Sequence, residues 1–232
     1  MDFPVLTMVS KEENRLSGAY YLGKCDVEDL LFKVLVVGDF GVGKTSLIRR
    51  YTEGIFNQSY KITIGVDFSV KELLWNHKKQ ITLQLWDIAG HERFGHMTRV
   101  YYKYATAAII VYDLTRPTTL HSVLKWQRDL WDKVEHQNGV PIPVILIANK
   151  CDLGCVDPRT LSAFCQEHRF AGWFFTSAKE NININEAINF LIERILLLRD
   201  EERMCTQPSS DPSIQRLTLP PPHKKKSVCC RS

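Results

Sequence analysis

Short apolar runs and amphipathic segments alternate along the chain from about residue 32 to residue 200. Residues 65–75 and 78–86 alternate apolar with polar positions and flank a short Asn76-His77 turn, which is typical of a β-hairpin. The other strand-like runs lie at 32–37, 107–114, 143–150 and 173–176. Segments with the apolar spacing of helices lie near 44–51, 118–136, 158–168 and 184–200. The pattern predicts an α/β fold with a six-stranded, mostly parallel sheet, one antiparallel edge strand and helices on both faces.

The two ends of the chain lack this pattern. Residues 1–30 are polar and aperiodic, so we predict a flexible N-terminal extension followed by one domain at 31–200. Residues 201–232 are rich in proline and serine, which predicts a disordered tail. The sequence contains neither the run of about 18 apolar residues that a membrane span needs nor a secretory signal. We therefore expect a protein that stays in the cytosol.

The formal net charge of +4 is concentrated in the tail. From Cys205 onwards the basic residues outnumber Asp211, the acidic residue there, by the whole of this excess. The rest of the chain is therefore neutral overall, which argues against nucleic-acid binding and for an electrostatic role of the tail. Cys151 and Cys155 with His168 would form an alternative zinc site, but free thiols in a reducing compartment are the better interpretation.

Residues 38–45, the phosphate loop, match the pattern G-x-x-x-x-G-K-[ST] and lie between the first strand and a helix. The glycines let successive backbone N–H groups turn inward and bind phosphate oxygens at a helix N-terminus. The ammonium group of Lys44 can reach the β- and γ-phosphates, and the Thr45 hydroxyl can ligate Mg²⁺. The predicted phosphate site consists of Gly38, Gly41, Val42, Gly43, Lys44, Thr45 and Ser46.

Three further elements follow predicted strands. Asp87 can hold a magnesium shell through water, and the Gly90 amide can meet a γ-phosphate; a strand-terminal aspartate that caps a turn is the alternative. In Asn149-Lys150-Cys151-Asp152, the Asp152 carboxylate can accept hydrogen bonds from N1–H and the 2-amino group of guanine, which adenine lacks. The backbone of Ser177-Ala178-Lys179 can contact the guanine carbonyl. These elements in this order predict a guanine-nucleotide site.

The four motifs resemble those of Ras-like small GTPases, and the stretches between them resemble the Rab family. The Rab-like stretches follow Thr63 and lie at 64–68, 85–87, 101–103 and 111–113. The resemblance covers roughly residues 31–200 and the last four residues. It implies a P-loop NTPase G domain, expected to be monomeric, that binds GTP and GDP with Mg²⁺ and hydrolyses GTP.

The resemblance also implies roles for single residues. Thr63 would join the magnesium, with Thr45 and Asp87, only when a γ-phosphate is present, and Phe56 would pack against the guanine ring. The catalytic residues would be Lys44, Thr63, Gly90 and His91. The implied effector surface consists of Ile64, Phe68, Trp86 and Tyr101, although core packing is an alternative role for the aromatic residues. The implied partners are an exchange factor, a GTPase-activating protein, effectors and a prenyl-lipid carrier.

Within the Rab family, Ile88 stands where most members have threonine. Together with residues 95–103 and 170–174, it resembles the subgroup of Rab proteins thirty-two and thirty-eight. Members of that subgroup serve lysosome-related organelles such as melanosomes. The resemblance therefore implies a GTP/GDP-switched regulator of vesicle trafficking, with lysosome-related organelles as the expected destination.

Two residues depart from the Rab pattern. His91 stands where Ras and most Rab proteins have a glutamine that orients the attacking water. An imidazole is shorter and rigid, so we expect intrinsic hydrolysis to fall by about 10- to 1000-fold; the alternative is that His91 acts as a base near pH 7. Phe40 stands in the phosphate loop where Rab proteins usually have a small residue. It would crowd the γ-phosphate side and an arginine finger, unless its ring folds outward.

The chain ends in Cys229-Cys230-Arg231-Ser232. This is a poor C-a-a-X box, but it resembles the doubly geranylgeranylated ends of Rab proteins. Two lipid chains hold a protein stably on a membrane, whereas one binds marginally. The basic residues 224–226 would add about 1 kcal/mol each at an anionic surface. We therefore expect attachment to the cytosolic face of intracellular membranes and a carrier that shields the lipids in the cytosol.

Two further functions stay open at this point. Because of Phe40 and His91, the chain could be a non-catalytic module that stays bound to GTP and recruits trafficking effectors. An adenine-nucleotide kinase or ATPase is disfavoured by Asp152.

Overall fold

The computed structural model describes residues 27–59, 61–90, 98–134 and 140–206. Within these ranges the strands are β1 Glu28–Val37, β2 Val66–Trp75, β3 Lys79–Ile88, β4 Ala107–Asp113, β5 Val144–Asn149 and β6 Gly172–Thr176. The helices are α1 Lys44–Glu53, α2 Thr98–Tyr102, α3 Pro117–Lys133, α4 Pro158–Glu167 and α5 Ile184–Thr206. None of these helices combines the length and apolarity that crossing a membrane requires.

The six strands form one sheet in the order β2-β3-β1-β4-β5-β6. Only β2 is antiparallel, and it pairs with β3 at one edge. The β2–β3 turn places Asn76 and His77 in the left-handed region, with φ of 50° and 57°, a conformation in which asparagine and histidine are enriched. The sheet confirms the predicted fold class.

The two faces of the sheet carry separate cores, because successive side chains of a strand point to opposite faces. In β1, Phe32, Val34 and Val36 pack with residues of α1 and α5. Leu35 and Val37 pack on the other face with residues of α2, α3 and α4. Both cores consist mainly of apolar residues along the central strands, as expected for a parallel sheet covered on both sides.

The ends of the domain differ from the prediction. The strand β1 begins at Glu28, inside the predicted extension, and α5 continues to Thr206, inside the predicted tail. Glu28 forms an ion pair with Arg203, which ties the two additional stretches together. The short helix α2 was not predicted; the hydroxyl of its buried Tyr102 donates to Asp129 of α3 over 3.0 Å. Residues 1–26 and 207–232 lie outside the described ranges, so flexible termini stay a prediction.

Two leucines of α5 offer a matched test of this packing. Leu191 is 1% exposed in the core, whereas Leu197 is 52% exposed. We expect Leu191→Ala to lower the free energy of unfolding by about 2–5 kcal/mol, because the lost methyl groups leave a cavity. Leu197→Ala should change it by less than about 1 kcal/mol. The measurement is urea unfolding at a fixed GDP concentration, since bound ligand adds to stability; equal losses would contradict the assigned packing.

Candidate nucleotide-binding site

A cavity of about 760 Å³ lies at the carboxyl ends of the parallel strands, the edge where open α/β sheets bind ligands. Most of the predicted nucleotide residues line it: Gly41, Gly43, Lys44, Thr45, Ser46, Phe56, Thr63, Gly90, Asn149, Lys150, Asp152, Ala178 and Lys179. The other predicted residues, Gly38, Val42, Asp87 and Ser177, are buried behind this lining. The structure therefore brings residues from five separate loops together around one space.

The phosphate loop closes tightly around the start of α1. Gly43 has φ of 98°, and a Cβ atom there would lie 2.3 Å from the side-chain nitrogen of Asn149. The ammonium group of Lys44 donates to the carbonyl oxygens of Gly38 and Asp39 over 2.9 and 3.1 Å. Burial lowers the pKa of Lys44 to about 8, against the opposing charges of Asp87 and Asp39. An anionic ligand in the cavity would therefore favour the charged form of Lys44.

Three oxygen-bearing side chains meet beside the phosphate loop. The Thr45 hydroxyl donates to Oδ2 of Asp87, and the hydroxyl oxygens of Thr45 and Thr63 lie 2.8 Å apart. The Thr63 hydroxyl also donates to Oδ2 over 3.4 Å. The other carboxylate oxygen, Oδ1 of Asp87, is buried and has no hydrogen-bond partner in the described part of the chain.

This donor set fits Mg²⁺, which prefers hydroxyl and carboxylate oxygens and keeps several of its waters. Burial raises the pKa of Asp87, against the hydrogen bond from Thr45, the charge of Lys44 and the hydrogen bond from Thr63. A divalent cation would offset this desolvation cost and use the unpartnered Oδ1. In the described ranges no group of three or more His, Cys, Asp and Glu side chains could hold a metal, so nothing there supports the alternative zinc site.

The base side of the cavity is held by side chains that follow β5 and β6. Asn149 donates to the Val42 carbonyl over 2.8 Å, and its Oδ1 accepts from Thr176 over 3.2 Å. The Ser177 hydroxyl donates to Oδ1 of Asp152 over 2.6 Å, which orients the carboxylate at the cavity wall. This geometry suits a ligand with two adjacent N–H donors, as guanine has.

Arg50, in the last turn of α1, was not among the predicted site residues. Its guanidinium donates to the carbonyls of Ala178 and Lys179 over 2.8 and 3.0 Å. It also lies 5.9 Å from the ring centre of Phe56. Arg50 thus joins the base-side loop to the segment after α1. A basic residue at the end of a helix is common, so the sequence carried no signal for this role.

The predicted effector surface contains a stacked pair of aromatic rings and exposed apolar side chains. The rings of Phe68 and Trp86 stack with centres 5.6 Å apart, and Lys33 lies 3.9 Å above the Trp86 ring. Trp86 and Tyr101 are partly buried against the core that α2, α3 and α4 share. Ile64 and Phe68 are exposed, at 90% and 58%. Three of the predicted residues lie outside the described ranges, namely His91, Cys229 and Cys230.

Comparison with known proteins agrees with this geometry. The sequence model that describes the Ras family matches residues 33–197 of this chain. Rab-32B of Dictyostelium discoideum is 58% identical over 173 residues, which cover 74% of this chain and 66% of that protein. Rab-32 of Mus musculus is 48% identical over 219 residues, which cover 92% of this chain and 96% of that protein. The chain belongs to the Rab branch of the Ras family. Rab-7L1 of Homo sapiens is also similar, at 48% identity over 185 residues, 79% of this chain and 91% of that protein.

Membership in the Rab branch establishes the biochemical activity. This Rab-type GTPase binds guanine nucleotide and hydrolyses GTP. The relatives named Rab-32 confirm the resemblance to that subgroup. Proteins of the family work with exchange factors, GTPase-activating proteins and effectors, and this chain shares that dependence.

The position of Asp152 predicts a change of base preference. We expect Asp152→Asn to weaken GDP binding by about 100-fold or more, because an amide offers a donor where guanine presents its 2-amino group. Binding of xanthosine diphosphate should improve, since its 2-oxo group accepts that donor. The control is Asp132→Asn, at an exposed position of α3. Competition against a fluorescent GDP analogue measures both affinities; an unchanged ratio of the two would contradict the assignment.

Proposed function

We propose that this Rab-type GTPase is a GTP/GDP-switched regulator of intracellular vesicle trafficking. The observation that supports this best is that two separate segments reach the phosphate loop. The Thr63 hydroxyl lies 2.8 Å from that of Thr45, and a Cβ atom at Gly90 would lie 2.3 Å from the Phe40 nitrogen. Both segments therefore lie where a γ-phosphate would contact them, and its loss would release them.

The chemistry follows from the residues around the cavity. The amides of the phosphate loop and Lys44 bind the phosphates, while Asp152, Phe56 and the 177–179 backbone hold guanine. Thr45, Thr63 and Asp87 would hold Mg²⁺, which would neutralise part of the negative charge of the phosphates. The Gly90 amide meets the γ-phosphate and stabilises its developing charge. Transfer to water then needs positioning of the nucleophile beside Gly90.

Effectors would read the ordered surface formed by Ile64, Phe68, Trp86 and Tyr101. Phe68 lies on β2, five residues after Thr63. Ordering of Thr63 would therefore order the neighbouring Ile64 beside the aromatic residues of this surface. An exposed apolar surface beside a ligand-dependent segment is what a state-dependent partner requires. We expect the protein to bind such partners as a monomer.

We further propose that intrinsic hydrolysis is slow. His91 replaces the usual water-positioning glutamine. Phe40 lines the cavity and is 38% exposed, which supports a side chain that would obstruct an arginine inserted by an activating protein. Slow intrinsic hydrolysis makes the duration of the active state depend on partners.

The proposed site of action is the cytosolic face of intracellular membranes, including lysosome-related organelles. The similarity to proteins named Rab-32 supports this destination. Geranylgeranyl groups on Cys229 and Cys230, with the basic residues 224–226, would supply two cooperating membrane signals. A prenyl-lipid carrier would return the protein to the cytosol.

The proposed hydrolysis defect can be tested directly. We expect His91→Gln to raise the single-turnover rate of GTP hydrolysis by about 10- to 1000-fold, because an amide can orient the attacking water. His121→Gln, at an exposed position of α3, is the matched control. Phe40→Ala should raise the rate mainly in the presence of an activating protein. Equal rates for all four proteins would mean that hydrolysis is not impaired by these residues.

The membrane attachment predicts a separable effect of lipids and charge. Replacing Cys229 and Cys230 with serine should abolish sedimentation with cell membranes, whereas Cys155→Ser, at an exposed cysteine of the domain, should not. Replacing residues 224–226 with glutamine should weaken sedimentation, and more so at low salt than at high salt, because only the charge term is screened. Retention of the double serine variant on membranes would disprove the lipid anchor.

A further inference from the structure

In the phosphate loop, the carbonyl groups of residues 38–43 all accept hydrogen bonds. Five consecutive carbonyl groups accept hydrogen bonds from side chains. Lys44 donates to the carbonyls of Gly38 and Asp39. Arg116 donates to that of Phe40, Lys150 to that of Gly41 and Asn149 to that of Val42. The next carbonyl, of Gly43, accepts from the Leu47 amide in the first turn of α1. With its carbonyls held on one side, the loop can present its N–H groups to phosphate on the other.

Two of these donors share one carboxylate. Oδ2 of Asp113 accepts from Lys150 over 2.7 Å and from Nε of Arg116 over 3.0 Å. Nη2 of the same arginine donates to the Phe40 carbonyl over 2.8 Å, and Lys150 donates to the Gly41 carbonyl over 3.1 Å. Each cation therefore bridges Asp113 to one of two successive peptide groups in the loop.

Asp113 is built for this position. It ends β4, is 1% exposed, and its Oδ1 accepts from the amide and hydroxyl of Thr115 over 2.9 and 2.6 Å. Burial alone would raise the pKa of Asp113, but the hydrogen bonds from Lys150, Thr115 and Arg116 together hold it below the usual value. The carboxylate thus stays charged and anchors both cations.

The cavity that would hold the nucleotide is lined by Phe40, Gly41 and Lys150, but neither Asp113 nor Arg116 belongs to its lining. A Cβ atom at Gly41 would lie 3.5 Å from Nη2 of Arg116, so the guanidinium rests against the outer side of the loop. Contact with the loop and not with the cavity is the geometry of groups that act through the loop.

We propose that Asp113 and Arg116 are positioning residues that clamp the phosphate loop at Phe40 and Gly41 and thereby slow the release of guanine nucleotide. The clamp rests on the guanine-nucleotide binding of this Rab-type GTPase. Nucleotide leaves when the loop amides lose their common orientation, and that orientation requires fixed carbonyls. The forked guanidinium of Arg116 suits this role, because it donates to the carboxylate and to the loop at once.

The test is the rate at which a fluorescent GDP analogue leaves the full-length protein in the presence of Mg²⁺ and excess GDP. We expect Arg116→Gln to accelerate release by about 5- to 50-fold, since it removes charge-assisted hydrogen bonds. Asp113→Asn should accelerate it at least as much, because it leaves two cations without their carboxylate. Arg116→Lys should fall between the unaltered protein and Arg116→Gln, since an ammonium group restores the charge but not the fork.

Two comparisons separate positioning from general loosening. Arg128→Gln, an exposed position of α3, should leave release unchanged. The ratio of release rates for GDP and inosine diphosphate, which lacks the 2-amino group, should also stay unchanged, because the clamp acts on the phosphate side and not on Asp152. In the variant with both changes, release should be accelerated by less than the product of the two single accelerations, because the two residues act as one unit.

Three outcomes would overturn the clamp. The first is release within twofold of the unaltered protein for both Arg116→Gln and Asp113→Asn. The second is a double variant whose acceleration equals the product of the two single accelerations. The third is a preference for GDP over inosine diphosphate that falls as release becomes faster. If Asp113→Asn does not fold, the partly exposed Arg116 carries the test with its glutamine and lysine variants.

Discussion

A backbone loop that offers its N–H groups to phosphate must have its carbonyl groups satisfied from elsewhere. This constraint organises the molecule around residues 38–45. The donors come from the ends of β4 and β5 and from Lys44, and they reach the loop because β1, β4 and β5 are neighbouring parallel strands that end at one edge. The sheet order therefore matters to the site because it brings these donors to the loop. Any topology that separated β5 from β1 by more strands would leave the Val42 carbonyl without Asn149.

Two buried carboxylates lie on the strands that flank β1, and they differ in how their oxygen atoms are paired. Asp113, at the end of β4, is partnered by Lys150, Arg116 and the Thr115 hydroxyl, so its charge is compensated by groups of the protein itself. Asp87, near the end of β3, has one buried oxygen without a partner in the described residues and a raised pKa. An uncompensated carboxylate responds to a cation that arrives, whereas a compensated one holds its surroundings still. Asp113 thus belongs to the permanent part of the site, and Asp87 belongs to the part that depends on the ligand.

The fold and most of the site could be predicted because both rest on local signals. Apolar runs marked the strands, and polar residues just after them, such as Asp87 and Asn149, marked the site. Asp113 also ends an apolar strand, but its role depends on Arg116, three residues further along the same loop, and on Lys150 from another loop. No spacing in the sequence reports that these side chains meet at the phosphate loop. The early start of β1 and the late end of α5 were missed because Glu28 and Arg203 are polar and gain order from each other. Helix α2 was missed because it has only five residues, too few for a helical period.

The effector surface combines a fixed part with a part that depends on the ligand. Phe68 and Trp86 face each other across the continuous β2–β3 ladder, so their stack is held by backbone pairing on both sides. Ile64 lies in the irregular stretch between α1 and β2 and is 90% exposed, so little internal contact stabilises it. Its neighbour Thr63 contacts Thr45 and Asp87 through hydroxyl and carboxylate oxygens. A segment held through these oxygens changes its order when they change partners. The adjoining rigid stack lets a partner protein register that change without any rearrangement of the core.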